Sequence, residues 1–143
     1  MYISTNTAIL LPAAVLICWT LVMLVWLAIT RLPTMSKSKI HPQKYPRTQD
    51  LGAALPAAVQ WKADNYNHLM EQPTIFYATV FLLVLIGEGG GMNVILAWTY
   101  VGLRIAHSLV QATINIVMVR FTLFVLSSII LTIMAVNSLL ALL

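Results

Sequence analysis

The chain has 143 residues, of which 60% are hydrophobic and only 8% are charged, and its mean hydropathy is +0.89. Because soluble domains carry about 25% charged residues, this composition excludes an ordinary soluble protein and indicates an integral membrane protein with a single domain, residues 1–143. The net charge of +4 comes without the aromatic and base-reading motifs of nucleic-acid binding. Cys18 is the only cysteine, which excludes an intrachain disulfide and a zinc knuckle.

The first predicted helix covers residues 8–30, an uncharged run long enough to cross about 30 Å of hydrocarbon. Arg31 and Pro33 are expected to end it. Residues 31–50 hold three prolines and most of the basic side chains, so a polar loop without helix is predicted there. The positive-inside rule places this loop in the cytoplasm, beside lipid headgroups, and the N-terminus outside.

The second predicted helix covers residues 53–86 and is bounded by the glycine-rich segment 87–91. Pro56 is acceptable in its first turn. Pro73 lies in its middle and removes one backbone hydrogen bond, so we expect a bend at that point. The first half of this helix is polar, which indicates that it is lined by other protein or emerges into the cytoplasm.

Residues 92–143 are too long for one crossing of the membrane and are predicted to form two helices, 92–114 and 118–142. Asn115 and Arg120 are the only polar residues that mark the tight connection between them. The predicted fold is therefore an all-α integral membrane protein, a bundle of four transmembrane helices with both termini outside.

Polar side chains recur at helical spacing in the second and third predicted helices. Residues three or four positions apart share one face of a helix. A charge at the centre of a bilayer costs at least a few kcal/mol, so such rows need partners or a polar cavity and mark the default functional site. The first row is Asp64, Asn67, His68 and Glu71, and the second is Arg104, His107 and Gln111.

The depths of Glu71 and Arg104 in their helices predict that the two side chains form an ion pair. Glu71 lies about 22 Å along the second helix and Arg104 about 18 Å along the third, which enters the membrane from the opposite side. Breaking a buried pair of this kind costs several kcal/mol, although the intact pair adds little net stability. A purely structural role, in which the pair only fixes helix packing, is the alternative to a functional one.

The remaining polar residues favour a ligand site. His68 and His107 titrate near neutrality, and Arg120 lies toward the same cytoplasmic end. A cleft with arginines, imidazoles and amides suits a small anionic ligand. His68 and Glu71 also have the i, i+3 spacing of helix-bundle metal sites, but the motif occurs once where a di-metal centre needs it twice, so we expect no metal.

Residues 64–77 (DNYNHLMEQPTIFY) and 104–111 (RIAHSLVQ) resemble the membrane-associated proteins in eicosanoid and glutathione metabolism, the MAPEG family. The four-helix layout, the basic first loop and Arg120 agree as well, and the run after Glu71 is similar to bacterial members. The resemblance covers essentially the whole chain. It implies a homotrimer that binds glutathione in clefts between subunits, open to the cytoplasm.

The chain departs from the pattern of the family's enzymes at three positions. Asp64 stands where they have arginine, His68 where they have asparagine, and Gln111 where they have tyrosine. An aspartate should repel the carboxylates of glutathione, where an arginine would attract them. Arg120 corresponds to the arginine credited with stabilising the glutathione thiolate, and Phe121 follows it where a hydroxyl residue often occurs.

The resemblance implies a glutathione-dependent transferase or peroxidase that acts on lipophilic electrophiles, in a bacterial inner membrane. The alternative is a non-catalytic structural or partner protein, in which the buried polar row holds the oligomer together. In the first case Arg120 is the catalytic residue. The ligand-binding residues are then Asn67, His68, Glu71, Arg104, His107 and Gln111.

Overall fold

The computed structural model describes residues 6–143, and their regular secondary structure is helical throughout. Four long helical stretches are joined by short connections, and a single turn of 3-10 helix at Pro42–Lys44 lies in the first of them. The helices are α1 (Leu10–Lys37), α2 (Thr48–Ala53), α3 (Ala57–Leu69), α4 (Pro73–Leu85), α5 (Gly91–Ala112) and α6 (Val117–Leu140).

Three of these stretches are long and apolar enough to cross a membrane: α1, α3 together with α4, and α6. This agrees with the prediction of an integral membrane protein built as a helical bundle. The fourth stretch, α5, is 22 residues long and carries the polar residues of the second row. The number of four crossings therefore stays a prediction.

The first helix does not end at Thr30 as expected, because α1 continues to Lys37 with Pro33 inside it. A proline costs its own backbone hydrogen bond, but the packing of Met35, only 8% exposed, favours the longer helix. The helix ends at Lys37, just before Lys39, which has a positive φ of 52°. This conformation lets the Ile40 N–H donate to the Met35 carbonyl at 2.9 Å. This is the turn that commonly closes helices.

The segment 31–50 is consequently not the helix-free loop that its prolines predicted. It contains the end of α1, the 3-10 turn and the start of α2. The second predicted helix also begins later than residue 53, because Pro56 adopts an extended conformation (ψ 138°) and caps α3 from outside. The prolines divide this segment into short helices and do not abolish helix.

At Pro73 the chain is interrupted and not merely bent. α3 ends at Leu69, residues 70–72 form turns, and Pro73 begins α4. The proline has no N–H for the carbonyl four residues earlier, so the carbonyls of this turn need other donors. One is supplied by the Thr74 hydroxyl, which donates to the Glu71 carbonyl at 2.6 Å.

The connection between α5 and α6 is as tight as predicted and spans residues 113–116. Asn115 has a positive φ of 52°, and its N–H donates to the Val110 carbonyl at 2.7 Å. α5 and α6 therefore form an antiparallel pair. At the far end of this pair, the Asn137 amide donates to the Asn93 side-chain oxygen at 3.0 Å.

The core lies around α5, which packs against α1, α3 and α6. Its central contact is the stacking of Phe76 from α4 on Tyr100 from α5, with ring centroids 4.4 Å apart and planes 18° apart. Both rings are fully buried. This stack fixes the height of α4 against α5, and with it the position of the break at Pro73.

Replacing Phe76 by alanine should lower the free energy of unfolding by about 3–5 kcal/mol, because a buried ring is lost and a cavity remains. The measurement is thermal or denaturant unfolding of the purified protein in detergent. Phe81→Ala in the same helix is the matched control, since Phe81 is 57% exposed. Equal losses in the two variants would contradict the stack as the centre of the core.

Candidate functional site

A cleft of about 270 Å³ opens between α3, α5 and α6 at the end of the bundle that carries the segment 31–50. It collects residues from both predicted polar rows and from the first turns of α6. Its polar side chains are two imidazoles, one amide and one guanidinium, and its walls are aromatic and aliphatic. The lining residues are His68, His107, Gln111, Val117, Arg120, Phe121 and Phe124.

Arg104 lies behind this cleft and is completely buried. Its Nη2 donates to the backbone carbonyl of His68 at 3.1 Å, and its Nη1 lies 3.5 Å from His68 Nε2. In the turn at residues 70–72 this carbonyl keeps only a long backbone hydrogen bond, from the Glu71 N–H at 3.4 Å. Arg104 therefore ties α5 to the interruption between α3 and α4.

The predicted ion pair between Glu71 and Arg104 is wrong. Glu71 instead accepts a hydrogen bond from His68 Nδ1 at 3.1 Å, and its side chain is 68% exposed. The reason is the turn at residues 70–72, which carries Glu71 away from the helix face that its spacing predicted. The partner of Arg104 is the backbone carbonyl of His68 and not the Glu71 carboxylate.

These contacts define the hydrogen-bonding state of the His68 ring. A carboxylate only accepts, so His68 Nδ1 carries a proton, and a guanidinium only donates, so Nε2 offers its lone pair to Arg104. The ring is thereby fixed between the two charged groups. It packs beside His107, with ring centroids 4.7 Å apart, and beside Phe124 at 5.6 Å.

Two polar atoms of the residues that line the cleft have no hydrogen-bond partner among the described residues. Gln111 is 6% exposed and its Oε1 atom has no hydrogen-bond partner, and Arg120 Nε is buried without a partner as well. Arg120 lies in the first turn of α6, whose N-terminus has no side-chain cap. The free amides and the helix dipole add positive potential at this point. With no carboxylate among the lining residues, the cleft is suited to an anion.

Besides Glu71, two residues of the first polar row lie outside this cleft. Asn67 is exposed, and Asp64 is exposed and lines a different cavity, where its Oδ1 accepts from Gln60 Nε2 at 2.8 Å. Asp64, Asn67 and His68 lie on one face of α3, as their spacing predicted, but that face is wider than the cleft. Only His68 projects into it from this row.

The apolar wall of the cleft was absent from the sequence prediction. Val117, Phe121 and Phe124 follow an i, i+4, i+7 pattern around Arg120, which is a detectable signal for one helix face. A second missed contact joins Trp19 of α1 to Ser108 of α5 by an indole hydrogen bond of 3.0 Å. Within residues 6–143, no group of three or more histidine, cysteine or acidic side chains is placed to hold a metal ion.

The fold and the cleft together define a class of protein, a helical membrane bundle with a polar cleft between its helices. A family model, that of the MAPEG family, matches residues 9–140. The chain therefore belongs to the MAPEG family, as the polar rows indicated. Comparison with curated proteins and with solved structures finds no significant match.

Arg104→Leu should lower the free energy of unfolding by about 1–3 kcal/mol, because it leaves the His68 carbonyl with only the long hydrogen bond from the Glu71 N–H. Glu71→Gln should cost about 1 kcal/mol or less, since the Glu71 side chain is largely exposed. Unfolding in detergent measures both. Equal and large losses would instead support a direct pair between Glu71 and Arg104.

Proposed function

We propose that the cleft binds glutathione or a similar small anionic thiol and that the protein conjugates it to lipophilic electrophiles or uses it to reduce hydroperoxides. The observation that carries this proposal is the guanidinium of Arg120 at the N-terminus of α6, in a cleft lined by no carboxylate. Family membership supports a membrane protein related to glutathione-dependent transferases. The proposal concerns the ligand and the reaction.

Arg120 is the catalytic residue of this proposal. A guanidinium beside a thiol favours the thiolate, which is the reactive nucleophile. In conjugation the sulfur forms a bond to the electrophilic carbon, the bond from that carbon to its leaving group breaks, and the leaving group and the thiol proton are released. In hydroperoxide reduction two thiols become a disulfide while the O–O bond breaks, giving alcohol and water. His68, His107 and Gln111 orient the ligand, and Arg104 positions His68 from behind.

We further propose that the clefts are completed by neighbouring subunits of a homotrimer. A cleft of about 270 Å³ is smaller than the usual range of about 300–1,000 Å³ for ligand pockets, so one chain offers only part of an enclosing site. The aromatic wall of Phe121 and Phe124 is apolar enough to admit a lipophilic acceptor from the bilayer. Segment 31–50 faces the cytoplasm of a bacterial inner membrane in this arrangement, and both termini face outside.

A non-catalytic role is the second candidate, and the exposure of Glu71 favours it. Glu71 has one partner in its own chain, His68, but a carboxylate that is 68% exposed within a membrane-spanning stretch has room for a second polar partner from outside that chain. In this reading a neighbouring copy supplies the partner, and the polar row holds the oligomer together. Asp64, which takes the place of a ligand-binding arginine, agrees with this reading.

Arg120→Ala should weaken the binding of reduced glutathione by about tenfold or more, because a charge-assisted contact is lost. Calorimetric titration of the purified protein measures binding, and conjugation to a chlorinated nitroaromatic measures turnover. Arg47→Ala is the control for general charge, since Arg47 lies outside the cleft. No binding at millimolar glutathione, or unchanged turnover in Arg120→Ala, would overturn the catalytic proposal.

The oligomer distinguishes the two candidates. Native mass spectrometry of the detergent-solubilised protein should show three copies under either candidate. If the polar row holds the copies together, Glu71→Gln should shift the population toward single chains, and no glutathione analogue should raise the melting temperature. If the cleft is a glutathione site, Glu71→Gln should leave the trimer intact and ligand should raise the melting temperature.

A further inference from the structure

A second cavity, of about 480 Å³, lies between α2 and α3 and shares no lining residue with the cleft. Its polar side chains are Gln49, Gln60 and Asp64, with Trp61 and the buried Leu55 beside them. No lysine, arginine or histidine is among its lining residues. This is notable because the neighbouring segment 31–50 is strongly basic.

Asp64 has no cationic partner in the described part of the chain. Its Oδ1 accepts from Gln60 Nε2 at 2.8 Å, and its second oxygen accepts no hydrogen bond from the residues that the structure describes. The nearest lysine in sequence is directed elsewhere. Lys62 Nζ donates to the Ala58 carbonyl at 2.7 Å and lies 5.5 Å from the centroid of the Trp26 ring.

Gln60 holds the Asp64 carboxylate from one side through its amide nitrogen. Its Oε1 atom is buried and has no hydrogen-bond partner. Its amide lies against Gly52, where an added Cβ would come within 2.9 Å of Oε1, so the glycine leaves room for this arrangement. The cavity therefore offers one carboxylate oxygen without a donor, on a carboxylate that the Gln60 amide holds in place.

The chemistry of this cavity fits a cation that carries hydrogen-bond donors. A carboxylate oxygen accepts N–H groups, and an indole attracts a cation toward its ring. A quaternary ammonium group has no N–H to offer the free carboxylate oxygen, whereas a primary ammonium group has three. We propose that the cavity between α2 and α3 binds a primary ammonium group, supplied by an aminophospholipid headgroup or by a free amine.

The test uses the full chain in detergent with native mass spectrometry titrations of phosphatidylethanolamine, phosphatidylcholine and free ethanolamine. The two lipids differ in whether the ammonium carries hydrogens, and ethanolamine lacks the lipid tails. Phosphatidylethanolamine should bind more tightly than phosphatidylcholine, and Asp64→Asn should weaken its binding by about tenfold, while Asp50→Asn leaves it within about twofold. Asp50 is the matched control, an exposed carboxylate of α2 outside the lining.

Trp61→Leu is a second variant, and it should weaken the binding of phosphatidylethanolamine by severalfold through loss of the cation–π attraction. If ethanolamine also binds in an Asp64-dependent way, the site accepts free amines, and if only the lipid binds, the ligand is the headgroup. Either result supports the proposal. Equal binding of the two lipids, no binding of any amine, or full binding by Asp64→Asn would overturn it. Glutathione binding depends on Arg120 in the other cavity, so the two proposals fail independently.

Discussion

The arrangement of the site depends on the contact between the Arg104 guanidinium and the backbone carbonyl of His68. The turn before Pro73 interrupts the second membrane stretch and leaves the His68 carbonyl with one long backbone hydrogen bond, from the Glu71 N–H at 3.4 Å, and Arg104 adds a second donor at 3.1 Å. A buried arginine in a membrane bundle needs such partners. Because the same arginine also faces the His68 ring, the backbone break and the orientation of the imidazole are coupled.

Because of this coupling, Arg104, Arg120 and Glu71 have different roles. Arg104 is used for structure, and its guanidinium is buried behind the cleft, so Arg120 is the arginine left for a ligand. The Glu71 carboxylate accepts the hydrogen bond from His68 Nδ1 and fixes that side of the imidazole ring. The cleft therefore keeps its positive potential although a carboxylate lies close to it, which is the condition that an anionic thiol requires.

Much of the fold follows from the sequence, because hydrophobic length and helical periodicity act locally. The convergence of His68, His107, Gln111 and Arg120 was predicted in this way, as was the tight turn before α6. The hydrogen bond from Arg104 to the His68 carbonyl was not predicted, because it joins the turn before Pro73 to a donor from another helix. The end of α1 was also missed, since the packing of Met35 outweighs the local cost of Pro33.

The most direct test of the account is a structure of the full chain in lipid nanodiscs with reduced glutathione, determined by electron cryomicroscopy. The account predicts ligand density in the cleft within hydrogen-bonding distance of Arg120, with Arg104 still bound to the His68 carbonyl. An empty cleft with Arg104 paired directly to Glu71 would contradict it.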